Sequence, residues 1–175
     1  IIWVVGIVNA FNWVDGLDGL ASGLVTITSI GFLSILISGD VNSIAILILI
    51  AFIASNFGFI IHNFYPARIF MGDGGSYFIG SVIAFLSINK EIFPLSNSFS
   101  LINLIGTILV IGLPLLDMTN VIFIRLLNKK SPFYPDRSHF HHRLIDYGLN
   151  HKQSTIICYF IQLVLFLIGS QFLIF

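Results

Sequence analysis

Three short stretches of this 175-residue chain combine acids, histidines, asparagines and glycines in spacings that suit a charged ligand. The first reads Asn9-Ala-Phe-Asn12-Trp-Val-Asp15-Gly-Leu-Asp18-Gly-Leu. Asp15 and Asp18 are three positions apart and each precedes a glycine, so both carboxylates can converge on one side of a turn or frayed helix. Gly16 and Gly19 let a ligand approach the backbone closely. Magnesium, a hard ion, takes one or two carboxylates together with substrate phosphates and water, and these residues suit it. A capping turn for the apolar stretch that follows, with Asp18 at its positive end, accounts for the same residues.

The second stretch, Asn63-Phe-Tyr-Pro66-Ala-Arg68-Ile-Phe-Met71-Gly72-Asp73-Gly74-Gly75-Ser76, sets Asp73 between glycines just before an apolar run. A ligand there could meet a carboxylate and the free amides of a helix start, which would suit a metal-bridged phosphate. A simple N-cap is the other reading. The third stretch, Pro135-Asp136-Arg137-Ser138-His139-Phe140-His141-His142-Arg143, follows Lys129 and Lys130. Its histidines and arginines are donors for a diphosphate, which arginine can grip through two bonds at once. A zinc site fits less well, because no cysteine supplements the histidines. A solvated loop rich in histidine is the bland alternative. Asp117 stands alone within an apolar run after Pro114 and is either a functional acid or a pair for a neighbouring helix.

The elements that must position these residues are read from the gaps between charges. The chain is 57% hydrophobic and 9% charged, with a mean hydropathy of +0.99, far from the roughly 25% charge of soluble domains. A spanning helix needs about 20 mostly apolar residues. The runs 1–14, 20–38, 41–61, 74–89, 92–124 and 153–175 therefore predict an all-α, polytopic bundle of about six membrane helices. No two-residue alternation suggests a barrel. Connections fall at 9–19, 39–40, 62–74, 90–100 and 125–152. Arg68, Arg125, Lys129, Lys130, Arg137, Arg143 and Lys152 share one side and leave Lys90 on the other, which predicts that the three motif-bearing connections face the cytoplasm. A formal net charge of zero argues against a nucleic-acid partner. Cys158 alone can make neither an internal disulfide nor a cysteine metal site. The start at Ile1, without Met or a basic leader, predicts that an upstream portion precedes it.

Together the three stretches resemble the polyprenyl-phosphate N-acetylhexosamine-1-phosphate transferases. The family pattern Asn-Ala-x-Asn-x-x-Asp-Gly-x-Asp-Gly-Leu matches Asn9 to Leu20, and Asn-x-x-Pro-Ala-x-x-Phe-Met-Gly-Asp-x-Gly-Ser matches Asn63 to Ser76. The histidine loop matches Pro135 to His142 in the form of the GlcNAc-1-phosphate branch, which favours a nucleotide-activated HexNAc over a muramyl pentapeptide. The family's adjacent Asp-Asp pair, which lies upstream, is absent from these residues. The resemblance implies that residues 1–175 are the C-terminal part of a single integral-membrane transferase domain, inactive in isolation.

It also implies a reaction: transfer of HexNAc-1-phosphate from a UDP-sugar such as UDP-GlcNAc to undecaprenyl phosphate, releasing UMP and initiating a cell-envelope glycan such as an O-antigen. By the resemblance, Asp15, Asp18, Asp73 and His141 are the catalytic candidates. Asp73 is the magnesium ligand, with manganese as a substitute. Asn9, Asn12, Asn63, Arg137, His139 and His142 are the substrate-binding candidates. The expected setting is the bacterial inner membrane, with the site facing the cytoplasm and a homodimer compatible with the family. A transporter with an acid and histidine ion path is the rival class. It is disfavoured because every candidate except Asp117 falls at a loop or helix end rather than near the bilayer midplane. A scaffold would leave the three clusters without a role.

Overall fold

The structure is a computed structural model that describes residues 1–38, 44–89, 101–134 and 138–174. The described residues form eight helices and no strand: α1 (Ile2–Val14), α2 (Leu20–Ser38), α3 (Ile44–Asn63), α4 (Gly72–Leu86), α5 (Leu101–Ile111), α6 (Leu113–Leu127), α7 (Phe140–Asp146) and α8 (His151–Ile174). The all-helical membrane bundle expected from the apolar runs is what forms.

α2 is the central post, buried over 72% of its apolar window against 22% for α3 and 28% for α8, whose outward Ile, Leu and Phe side chains suit lipid. Its buried hydroxyls are satisfied within the helix, Thr26 donating to the Ser22 carbonyl and Ser29 to that of Val25, each at 2.7 Å. α1 and α4 pack antiparallel and are tied at both ends. The Trp3 indole N–H donates to Ser87 Oγ at 2.9 Å, and Asn12 Nδ2 donates to Ser76 Oγ at 2.9 Å.

The number of spans needs correction. Three described helices are long and apolar enough to cross a membrane, or four if the bent pair α5 and α6 counts as one, rather than six. α1 and α4, at 13 and 15 residues, rise only about 20 and 22 Å at 1.5 Å per residue, short of a ~30 Å apolar layer. The run 92–124 is not one helix either. Residues 92–100 lie outside the described residues, and the remainder turns through 97° at Gly112 before running on to Leu127.

The break has a local cause. Pro114 has no N–H to offer the Val110 carbonyl, and Gly112 takes φ +67, which a side chain would resist. The break leaves the Val110 carbonyl and the Leu113 amide without helical partners, in a setting where water cannot replace them. Gln162, fully buried on α8, serves both: its Nε2 donates to Val110 O at 3.0 Å, and Oε1 accepts from Leu113 N at 2.8 Å. Nε2 also donates to Thr28 Oγ1 at 3.1 Å, anchoring the joint to α2.

Three connections are also shorter than the charge pattern predicts, the one between α3 and α4 being confined to 64–71. α1 continues to Val14, so Asn9 and Asn12 are helical and only 15–19 is a turn. The 125–152 connection contains the short helix α7.

Gln162→Leu in the full-length protein should cost about 1–3 kcal/mol for each backbone group left unsatisfied, above the ~0.6 kcal/mol average of an ordinary interhelical bond in a membrane. Unfolding in detergent measures it. A stability equal to wild type would show that the joint does not depend on the amide.

Candidate functional site

The turn 15–19, the loop 64–71, the first turn of α4 and the short helix α7 meet at one end of the bundle. Asp15, Asp18, Asn63 and Asp73 share a cleft of about 290 Å³. The sequence places these residues far apart, and specific bonds bring them together.

Asp73 is exposed in the first turn of α4, where Met71 is the N-cap residue, so it is not itself the cap. Its Oδ1 accepts from Asn12 Nδ2 at 3.2 Å, which links α1 to the acid. Asp18 does not cap α2 either: its described side-chain bond runs across the cleft, Oδ2 accepting from the Ala67 amide at 3.0 Å. The turn is held from behind by α8, where Thr155 donates to the Asp18 carbonyl at 3.3 Å and the Tyr159 hydroxyl donates to the Gly19 carbonyl. Asn63 is buried with both ends of its amide engaged. Oδ1 accepts from Ser22 Oγ at 2.9 Å, and Nδ2 donates to the Ile69 carbonyl at 2.9 Å. It therefore shapes the wall of the cleft. Asn9 stands apart, its Nδ2 donating back to the Val5 carbonyl at 2.8 Å. Arg137 lies outside the described residues.

The histidines form a packed group. His139 and His141 stack with centroids 5.6 Å apart and 17° between planes, and His142 lies 4.4 Å from His141. His141 is buried with Nε2 pressed against Gly16, at a place where any Cβ would collide with the ring. Gly16 is thus the contact through which the acid turn and the histidine helix fit together. The Nε2 atom has no hydrogen-bond partner among the described residues. The group is seated on α6. Asp117, 3% exposed, accepts from His139 Nδ1 and from the Phe140 amide, each at 2.7 Å. Arg125 donates to the Pro132 carbonyl at 2.6 Å and lies 5.0 Å from the Trp13 ring centre, and Trp13 in turn meets His139 edge-on.

The electrostatics are those of a site arranged for charged ligands. Burial first, and the nearby Asp73 charge second, push the Asp15 carboxyl up to about 6. Burial, followed by the charge of His142, holds His141 down to about 4, so its ring is neutral at neutral pH and offers a hydrogen bond rather than a charge. Asp15 and Asp73 suit magnesium, which needs only one or two carboxylates and completes its shell with phosphate oxygens and water. Among the described residues no group of three or more His, Cys, Asp or Glu side chains forms a metal cage.

A multi-pass helical membrane protein with carboxylates and histidines gathered at one end of its bundle is the class these features define. Within that class the chain belongs to glycosyl transferase family 4, whose family model matches residues 1–91. It is 43% identical over 94% of its length to a probable undecaprenyl-phosphate N-acetylglucosaminyl 1-phosphate transferase of Bacillus subtilis (strain 168). It is 36% identical over 89% to a decaprenyl-phosphate N-acetylglucosaminephosphotransferase of Mycobacterium tuberculosis (strain ATCC 25618 / H37Rv). It is 30% identical over 86% to an undecaprenyl-phosphate alpha-N-acetylglucosaminyl 1-phosphate transferase of Escherichia coli (strain K12). The chain spans 44%, 42% and 41% of the lengths of these relatives.

Asp15 and Asp73 share a field, and a substitution can separate its two causes. In metal-free, full-length protein, Asp73→Asn should move the Asp15 midpoint from about 6 part of the way towards 3.8, because the like charge is removed while burial remains. The sign for folding follows: between those values the native Asp15 holds a proton that the unfolded chain has released, so this group favours the fold as pH falls through the window. Infrared titration of the carboxylate reads the midpoint. An unchanged value would mean that the two acids do not interact.

Proposed function

We propose that the complete protein transfers GlcNAc-1-phosphate, or a related HexNAc-1-phosphate, from a UDP-sugar to undecaprenyl phosphate at the cytoplasmic face of the bacterial inner membrane. The observation that carries this reading is the convergence of Asp15 and Asp73 on one cleft, with His141 packed against the acid turn at Gly16. The names of the relatives supply the substrate class, and the basic residues of the motif-bearing connections supply the orientation.

In this reaction an oxygen of the lipid phosphate attacks the β-phosphorus of the UDP-sugar. The bond from that phosphorus to the bridging oxygen breaks, and UMP leaves with the bond's electron pair. The lipid phosphate has a second pKa near ~6 and is largely dianionic at neutral pH, so the protein's task is positioning and charge neutralisation rather than deprotonation. Asp15 and Asp73 would hold magnesium, which supplies positive charge to the phosphate oxygens. Asn12 keeps the Asp73 carboxylate in place. Asp18 and Asn63 hold the loop 64–71 that forms the cleft wall. The neutral His141, with His139, His142 and Arg137, is assigned to the diphosphate or sugar by hydrogen bonds. The loop-end placement of these residues also separates this reading from a transporter path.

Reconstitution of the full-length protein with UDP-[14C]GlcNAc, undecaprenyl phosphate and magnesium should give labelled lipid and stoichiometric UMP. Asp73→Asn should lower turnover by about 100-fold or more while the fold survives. Near wild-type transfer by this variant would remove Asp73 from the metal site.

His141→Ala should raise KM for the nucleotide sugar or lower kcat without a matching change in the dependence on lipid, and the purified wild-type protein should hold no stoichiometric zinc. One tightly bound zinc per chain, together with a large loss of stability in the variant, would replace the diphosphate assignment with a structural metal.

A further inference from the structure

Asp117 is the one acid singled out in the sequence that the proposed reaction does not use, and it is among the most constrained side chains of the molecule. It projects from α6 at the margin of the histidine group, almost completely buried, and both of its oxygens are occupied. Oδ2 meets His139 Nδ1 and Oδ1 meets the Phe140 amide, each at 2.7 Å. An ionised carboxylate only accepts hydrogen bonds, so this contact requires His139 to carry hydrogen on Nδ1. The other ring nitrogen, Nε2, is left for a second partner. The second bond fixes the start of α7, so one carboxylate sets both the ring's tautomer and the place from which His141 and His142 project. Arg125, about two turns further along α6, holds the Pro132 carbonyl on the other side of the loop.

We propose that Asp117 is a positioning residue for the transfer reaction: it holds the hydrogen of His139 on Nδ1 and seats α7, so that Nε2 is the nitrogen of His139 left to the substrate. This rests on the reaction proposed above in placing a substrate at the histidines. The tautomer does not depend on that reaction.

Asp117→Asn separates orientation from simple support. The asparagine oxygen can still accept from Phe140, but its amide group faces Nδ1 as a donor and drives the ring to the opposite tautomer. In full-length protein labelled with 15N-histidine and reconstituted in lipid, the His139 nitrogen shifts, assigned with His139→Gln, should report Nδ1–H in the wild type and Nε2–H in Asp117→Asn. Turnover should fall about 10–100-fold, the range for an outer partner of a functional histidine, with both KM values and thermal stability little changed. Asp117→Ala should lose stability as well, because it abandons both bonds. Asp117→Glu, which keeps the acceptor, should recover part of the rate.

Nε2–H in the wild type, or shifts that do not move in Asp117→Asn, would overturn the proposal whatever the substrate. So would a switched tautomer with wild-type turnover. If the wild type transferred no sugar phosphate from any UDP-HexNAc, the proposed function would fail, while the nitrogen shifts would still decide whether Asp117 sets the ring.

Discussion

A helix broken inside an apolar layer must find partners for the backbone groups it releases, and in this protein a single side-chain amide provides them. Gln162 accepts from Leu113 and donates to Val110, turning a defect created by Pro114 into a defined 97° joint. Its third bond, to Thr28, fixes the joint to the most buried helix of the bundle. The direction of α6 follows from this. α6 carries Asp117 and Arg125, and through them the histidine helix and the start of the loop that leads to it are brought to the acids.

The site itself is assembled by close approach more than by charge pairing. His139 and Asp117 meet in an ion-pair contact at the margin, and the acids of the cleft are held by amides: Asp73 by Asn12, and Asp18 by the backbone of Ala67. The cleft brings two carboxylates close together, and the raised Asp15 carboxyl records its burial first and the Asp73 charge second. A pocket with that balance stabilises cations and the anions that travel with them. The neutral His141 packed against the acid turn adds hydrogen-bonding capacity without adding a competing charge.

Much of this was legible in the residues. Gly16 and Gly19 read as room for a ligand to approach the backbone, and at Gly16 it is His141 of the same chain that takes that room. Basic residues and apolar runs gave the helical class and the connections that hold the motifs. The span count failed because it rested on the absence of charge, which registers neither a break nor a helix too short for the bilayer. Gly112 and Pro114 were the available signal for the break, two residues that oppose a continuous helix. Gln162 escaped notice for the same reason: it is polar but uncharged, in a run chosen only for lacking charge. The partners of Asn63 and Asp117 depend on contacts between distant segments, which local spacing does not encode.

The aromatic ends of α1 have an optical consequence. The chain's two tryptophans lie on this helix, about 15 Å apart along its axis. Trp3 is tethered to Ser87 near the far end of α4, whereas Trp13 is wedged between the Arg125 guanidinium and the His139 ring. Their emission therefore comes from unlike surroundings, one beside a serine hydroxyl at the far end of the helix pair and the other in contact with a guanidinium and an imidazole. Trp13 is a native dye placed where α6 and the histidines meet α1, so its emission colour reports the polarity of that contact.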